Sequence, residues 1–232
     1  MGTVILLRHG RSTANAAGVL AGRTPGVALD EHGRAQAQVL VERLERLPLA
    51  AVVSSPLQRC RDTVAPLARA RELEVSLDDR LVEVDYGEWT GRELRTLGKE
   101  PLWKVVQAHP SAAMFPGGEG LAAMQARAVA AVREWDAKLA AEHGPQALWL
   151  VCTHGDIIKA VLADALGVHL DGFQRIVADP CSVSVVTYTE TRPFVQRVND
   201  CGDDLKSLVP PKRRRRRPPS SDAMPGGSTG TS

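Results

Sequence analysis

The sequence predicts an α/β fold, a three-layer sandwich in which a mostly parallel central sheet carries helices on both faces. Three observations point there. Short apolar runs alternate with longer segments of helical periodicity, the polar motifs fall directly after the apolar runs, and 232 residues at 44% hydrophobic content supply one sizeable core rather than two. In such sheets ligands bind beyond the carboxyl ends of the strands, where strand order switches, so chemistry is expected at those ends.

The elements follow in order. Thr3 to Leu7 is an unbroken apolar run and predicts a buried strand. Asp30 to Leu47 places Ala35, Val39, Leu40, Leu44 and Leu47 at helical spacing, with Asp30 as N-cap and Pro48 as the stop. Ala50 to Val53 predicts a second strand, and Ser55-Pro56 opens a second helix, a capping hydroxyl ahead of a proline at the first helical position. Helical segments are expected near Arg92 to Ala108 and from Leu121 to Glu142. Ala147 to Cys152 predicts a buried strand leading through His154-Gly155 into a helix over Ile157 to Leu166, and Val183 to Tyr188 and Phe194 to Val198 close the domain as strands.

Composition excludes several classes. Asp, Glu, Lys or Arg interrupts every apolar stretch before the roughly 20 residues that a membrane-spanning helix needs. The first apolar run has no basic region ahead of it and no small-residue cleavage site behind it, so it reads as a strand and not a secretory signal. Cys60, Cys152, Cys181 and Cys201 are widely separated with no C-x-x-C pair, which suggests neither a zinc knuckle nor a disulfide framework and fits a reducing cytoplasm. Formal charge is +2, but Lys212 to Arg217 is an unbroken basic run between prolines, and the rest is slightly acidic. The expected organisation is a catalytic domain over 1–202 and a disordered tail over 203–232, whose Pro, Gly, Ser and Thr content buries too little surface to offset ordering entropy. The tail's basic run has the composition to contact nucleic acid or another polyanion, although a solvated tail is the simpler reading.

Four polar constellations carry the chemistry. Leu7-Arg8-His9-Gly10-Arg11-Ser12 puts a charged pair and a glycine at the end of the first strand, and Val151-Cys152-Thr153-His154-Gly155-Asp156 repeats that context. Ser55-Pro56-Leu57-Gln58-Arg59 places Arg59 in the first turns of a helix, where backbone and guanidinium both favour anions. Leu81 to Gly91 is an acidic and aromatic loop in which Glu83, Asp85 and Glu88 compete for a role and Tyr86 and Trp89 are candidates for the pocket mouth or the core. His32, His109, His143 and His169 lack a strand-to-glycine context, and no metal-ligand spacing joins them.

Leu7-Arg8-His9-Gly10, Ser55-Pro56-Leu57-x-Arg59, Glu83 and Thr153-His154-Gly155, in that order, resemble the signature of the histidine phosphatase superfamily, the phosphoglycerate mutase-like family. The resemblance implies phosphoryl transfer without cofactor or metal, through a phosphohistidine on His9. It implies Arg8, Arg59 and His154 as phosphate-binding and catalytic partners, Glu83 as the general acid and base, and Asn15, Gly22 and Gly155 as further phosphate or substrate contacts.

The side chains suit those roles. A neutral imidazole attacks phosphorus in line, Arg8, Arg59 and His154 offer positive charge and donors to the equatorial oxygens, and a carboxyl does what a cation cannot, protonating the leaving oxygen. Bound phosphate would raise the pKa of that carboxyl through like charge. Where phosphoglycerate mutases follow the glutamate with Arg-His-Tyr-Gly, this chain has Val84-Asp85-Tyr86-Gly87, which favours a phosphoric monoester hydrolase of the histidine acid phosphatase type. A cofactor-dependent phosphoglycerate mutase-type enzyme is the alternative, and Arg92, Arg95, Lys99 and Lys104 are the cations it would use. A further departure is Ala21, where several members place a glutamine against the phosphate. The expected partner is a small phosphorylated metabolite, with no membrane; a homodimer stays open.

Overall fold

The computed structural model describes residues 1–202 and Gly226, so the expected tail, Gly226 apart, lies outside the described residues. Six strands form one sheet in the order β3-β2-β4-β1-β5-β6: β1 (Thr3–Arg8), β2 (Leu49–Ser54), β3 (Val75–Leu77), β4 (Leu148–Thr153), β5 (Val183–Thr187) and β6 (Phe194–Asp200). The first four are parallel to one another, while β5 and β6 add an antiparallel edge beside β1. β4, made late in the chain, inserts between β1 and β2.

The apolar runs read as continuous because both sheet faces are covered. Val4 and Leu6 of β1, with Trp149 and Val151 of β4, face the core packed by α6 (Leu121–His143) and α7 (Gly155–Ala165). Ile5 and Leu7, with Leu150 and Cys152, face the smaller core under α2 (Glu31–Leu44) and α3 (Gln58–Ala70). The three-layer α/β sandwich is therefore the architecture. Among the described residues no helix is long and apolar enough to cross a membrane.

Local expectations differ from the structure in three places. The segment from Arg92 to Ala108 is two helices, α4 (Leu94–Leu97) and α5 (Pro101–Ala108), because Pro101 cannot continue a helix but starts one well. Ser55 does not cap α3. The cap position is Leu57, and the Ser55 hydroxyl turns instead toward His154. β3 was not expected, since it has three residues and two of them are exposed, which leaves no periodicity to read.

Two glycines set how α2 meets the loop after β1. The Gly33 N–H donates to the capping carboxylate of Asp30 at 2.7 Å, and a Cβ there would lie 2.0 Å from the Arg11 carbonyl oxygen; a Cβ on Gly10 would lie 2.8 Å from the Gly33 oxygen. Backbone packs on backbone, directly behind His9. Gly33→Ala is expected to destabilise the fold by about 1–3 kcal/mol, the cost of forcing atoms into a packed contact, and a urea midpoint equal to that of the parent would contradict this packing.

Candidate active site

Parallel strands bring the expected residues to one end of the sheet. β1 ends at Arg8, and the His9 N–H then bonds the Thr153 carbonyl of β4 at 3.0 Å. The next N–H, of Gly10, donates to Thr63 Oγ1 at 2.9 Å, and that hydroxyl donates to the Arg59 carbonyl at 2.7 Å. One threonine thus ties the histidine loop to the helix that carries the arginine.

Arg59 is 2% exposed and sits between the two histidines. Its Nε donates to His9 Nε2 at 3.3 Å, and its Nη2 to the Gly22 carbonyl at 2.7 Å and to His154 Nδ1 at 3.2 Å; Nη1 has no partner among the described residues. Because a guanidinium only donates, the two ring nitrogens facing it carry lone pairs. His9 Nδ1 donates to the Gly10 carbonyl at 2.7 Å, which fixes the tautomer and leaves Nε2 as the bare nitrogen. His154 Nε2 meets Ser55 Oγ at 2.8 Å, and the two rings lie edge to face, centroids 5.3 Å apart.

Burial, reinforced by Arg59 and Arg8, pushes His9 well below the ordinary imidazole value, so it is neutral at physiological pH. His154 is pushed down by burial, Arg59 and His9. The sequence reading gave His154 a positive charge. Here it is a neutral ring whose nitrogens face Arg59 and Ser55, because a second charge beside a buried guanidinium is costly.

Glu83 lines the same cavity as His9, Ser12, Asn15, Gly22, Arg59 and Tyr86. Its carboxyl is raised to about 7, chiefly by burial and secondly by Asp156, against the lowering effects of the Val84 N–H, Arg59 and Arg8. Its protonated state therefore does not wait for bound phosphate. Asp85 bonds the Gly87 N–H and faces solvent in part, and Glu88 is exposed, so neither competes. Tyr86 walls the cavity, while Trp89 stacks on Trp103 in the core.

Of the other expected contacts, Asn15 reaches the cavity but uses its Oδ1 to accept from the Ser12 N–H and hydroxyl in the cap of α1 (Thr13–Ala17). Gly22 has φ +50, and a Cβ would lie 2.9 Å from Thr90 Oγ1. Arg8 is fully buried and donates to the carbonyls of Ala178 at 2.7 Å and of Gly226 at 2.9 Å; Gly226 lines the cavity. Gly155 begins α7 behind His154 and is not among the residues lining the cavity.

Residues 4–201 match the family model described as histidine phosphatase superfamily, branch 1. The chain belongs to the histidine phosphatase superfamily. Phosphoserine phosphatase 1 of Hydrogenobacter thermophilus is 32% identical over 202 residues, covering 84% of this chain and 91% of that one. A Proteus mirabilis protein named as probable phosphoglycerate mutase GpmB is 30% identical, over 80% of this chain and 84% of that one. Three mycobacterial relatives, 34% identical, are longer, and the match covers 54% of their length. Among solved structures, Bacillus stearothermophilus YhfR superposes with a TM-score of 0.78 at 25% identity, over 86% of this chain and 98% of that one. In coarse terms the chain is a phosphatase of this superfamily.

This histidine phosphatase also contains site residues that sequence reasoning did not assign. Asp156 Oδ2 accepts from the Tyr86 hydroxyl at 2.8 Å, and Oδ1 from Lys159 at 3.0 Å, all three groups being buried. A signal for that pair was present, since Asp156 and Lys159 are charges three apart in a run, Gly155 to Ala163, that is otherwise without charge. Ser55 and Thr63 carried no such signal. The site predicts its own titration: histidine NMR resonances of His9 and His154 should stay in the neutral form well below pH 6.5, and midpoints near 6.5 would contradict the buried, arginine-flanked placement.

Proposed function

We propose that this protein is a phosphomonoester hydrolase acting on a small phosphorylated metabolite through a covalent phosphohistidine on His9, with Glu83 as general acid and base. The observation that carries the reading is the pairing, in one cavity, of an imidazole with an unprotonated Nε2 and a carboxyl raised to about 7. In the first step the Nε2 lone pair forms the N–P bond as the P–O ester bond breaks, and the Glu83 proton goes to the leaving alkoxide. In the second, the Glu83 carboxylate takes a proton from water, the incipient hydroxide attacks phosphorus, and the N–P bond breaks to release phosphate and restore His9.

Arg59 supplies the equatorial donors. Its Nη1, with no partner among the described residues, is a cationic group buried at a cost that an incoming phosphate would offset. Arg8, buried and bonded to the carbonyl of Gly226, which lines the cavity, is the second cation of this reading.

Hydrolysis is favoured over a mutase reaction by the rest of the wall. Beyond the phosphate end it is Val19, Leu20, Ala21 and Leu94, and among the described residues the lining holds no second cluster of cations for a bisphosphate. Arg92 pairs with Glu100 and Arg95 with Glu93 at the surface, and none of Arg92, Arg95, Lys99 and Lys104 is among the residues lining the cavity. Such a wall suits a compact leaving group with apolar as well as polar surface.

His9→Ala should abolish turnover of p-nitrophenyl phosphate and of alkyl phosphates alike, and acid-labile phosphate trapped on the parent should be missing from the variant; residual turnover of a tenth or more would overturn His9 as nucleophile. Glu83 must be protonated to act as the acid, so kcat/KM for an alkyl phosphate should hold on the acid side and fall by about tenfold per pH unit above about 7. Glu83→Gln should slow alkyl phosphates by roughly 100-fold or more while sparing activated aryl esters, and equal losses on both would remove Glu83 from the role.

A further inference from the structure

The general acid of the proposed reaction sits on an irregular segment, Val82 to Asp85, that follows a single 3-10 turn (Asp79–Leu81) and belongs to no strand. What holds it instead is a group of three side chains outside every motif noted in the sequence. Arg127, on α6, uses all five of its N–H donors: Nη1 to the carbonyls of Arg80 at 2.7 Å and Val82 at 2.9 Å, Nη2 to the Glu83 carbonyl at 3.2 Å and to Glu119 Oε1 at 2.6 Å, and Nε to Glu119 Oε2 at 3.0 Å. Arg23, from the loop that carries Ala21 and Gly22, donates Nε to the same Glu83 carbonyl at 3.0 Å and Nη2 to Glu119 Oε1 at 2.8 Å. Glu119 also accepts the Asp85 N–H at 2.9 Å.

The Glu83 carbonyl is therefore gripped by two guanidinium groups, and one carboxylate aligns both. Burial alone would raise the Glu119 carboxyl, but the bonds from Arg127 and the Asp85 N–H, with Arg23, outweigh it and hold the group below its ordinary value, so it stays anionic. The turn that bears Glu119 is locked to the same segment. A Cβ on Gly118 would lie 2.2 Å from the Asp85 oxygen, and one on Gly87 2.1 Å from the Pro116 oxygen. Glu119 N–H bonds the Asp85 carbonyl at 2.9 Å, and Glu88 N–H the Pro116 carbonyl at 2.9 Å.

We infer that Glu119, Arg127 and Arg23 are positioning residues that set the Glu83 carboxyl against the leaving oxygen, and that Arg23 makes this setting depend on the loop beside the phosphate. The inference rests on Glu83 as the general acid. None of the three touches the reacting atoms. Their contribution is orientation, and orientation matters most when proton transfer is demanded in the transition state. Arg23 has a particular place because its backbone belongs to the loop whose Gly22 carbonyl accepts from Arg59. Movement of that loop over a bound ester is transmitted to the acid through one side chain.

The test is a double-mutant cycle read on two substrates. Glu119→Gln, Arg127→Lys and Arg23→Gln are each made in the parent and in Glu83→Gln, and kcat/KM is measured for an alkyl phosphate and for p-nitrophenyl phosphate, whose leaving group needs no proton. The expected result is a loss of roughly 10- to 100-fold on the alkyl ester, about threefold or less on the aryl ester, and no additional loss on the alkyl ester once Glu83 is already Gln. Equal losses on both esters, or losses that multiply with Glu83→Gln, would overturn the positioning role and leave the phosphatase reading intact. If Glu83→Gln itself spares the alkyl ester, the assignment of the acid fails, and the positioning role with it. Arg23→Gln, at a partly exposed side chain, reports even if the two variants nearer the core fold poorly.

Discussion

Everything at this site is arranged around a buried guanidinium. Arg59 cannot lose its proton, and at 2% exposure it cannot be solvated, so its surroundings must supply acceptors. It finds three: the Gly22 carbonyl and one nitrogen from each of two imidazoles. From that requirement follow the tautomers of His9 and His154, their neutrality, and the bare nitrogen that a phosphorus atom would meet. In the proposed reaction the cation that is paired with His9 at rest becomes the partner of the incoming phosphate, and that exchange frees the lone pair.

The second arrangement is the separation of two proton affinities within one cavity. Burial lowers the imidazole and raises the carboxyl, since in each case the charged form is the one that low dielectric penalises. Asp156 adds to the rise at Glu83, while its own charge is satisfied by Lys159 and Tyr86. A base without a proton and an acid with one can thus stand on the same wall near neutral pH, which is the state that phosphoryl transfer to a nitrogen requires.

Much of this was legible in the sequence because the features concerned are local. Strand ends followed by His-Gly, an arginine in the first turn of a helix, and the Asp30 cap each depend on a few adjacent residues, and each lies where its pattern put it. The features that escaped notice depend on chain segments meeting. Ser55 reads as a helix cap until His154 is seen beside it, and Arg23, Glu119 and Arg127 stand in no motif, so that only the fold brings them to the Glu83 segment. The neutral state of His154 was missed for the same reason: a histidine after a strand looks cationic near phosphate, and only its packing against Arg59 removes the charge.

The insertion of β4 between β1 and β2 has a consequence for how the enzyme comes into being. The strands bearing His9 and leading to Arg59 are made early, yet they share no hydrogen bond with each other; both bond to Leu148–Thr153. A growing chain that has passed Glu83 already carries His9, Arg59 and Glu83, but no strand to set them side by side. The candidate site is therefore assembled only once the late central strand closes the gap. The chain spends the interval before it with two hydrophobic strand edges unpaired, the condition under which long-range pairing is slow and mispairing is a hazard.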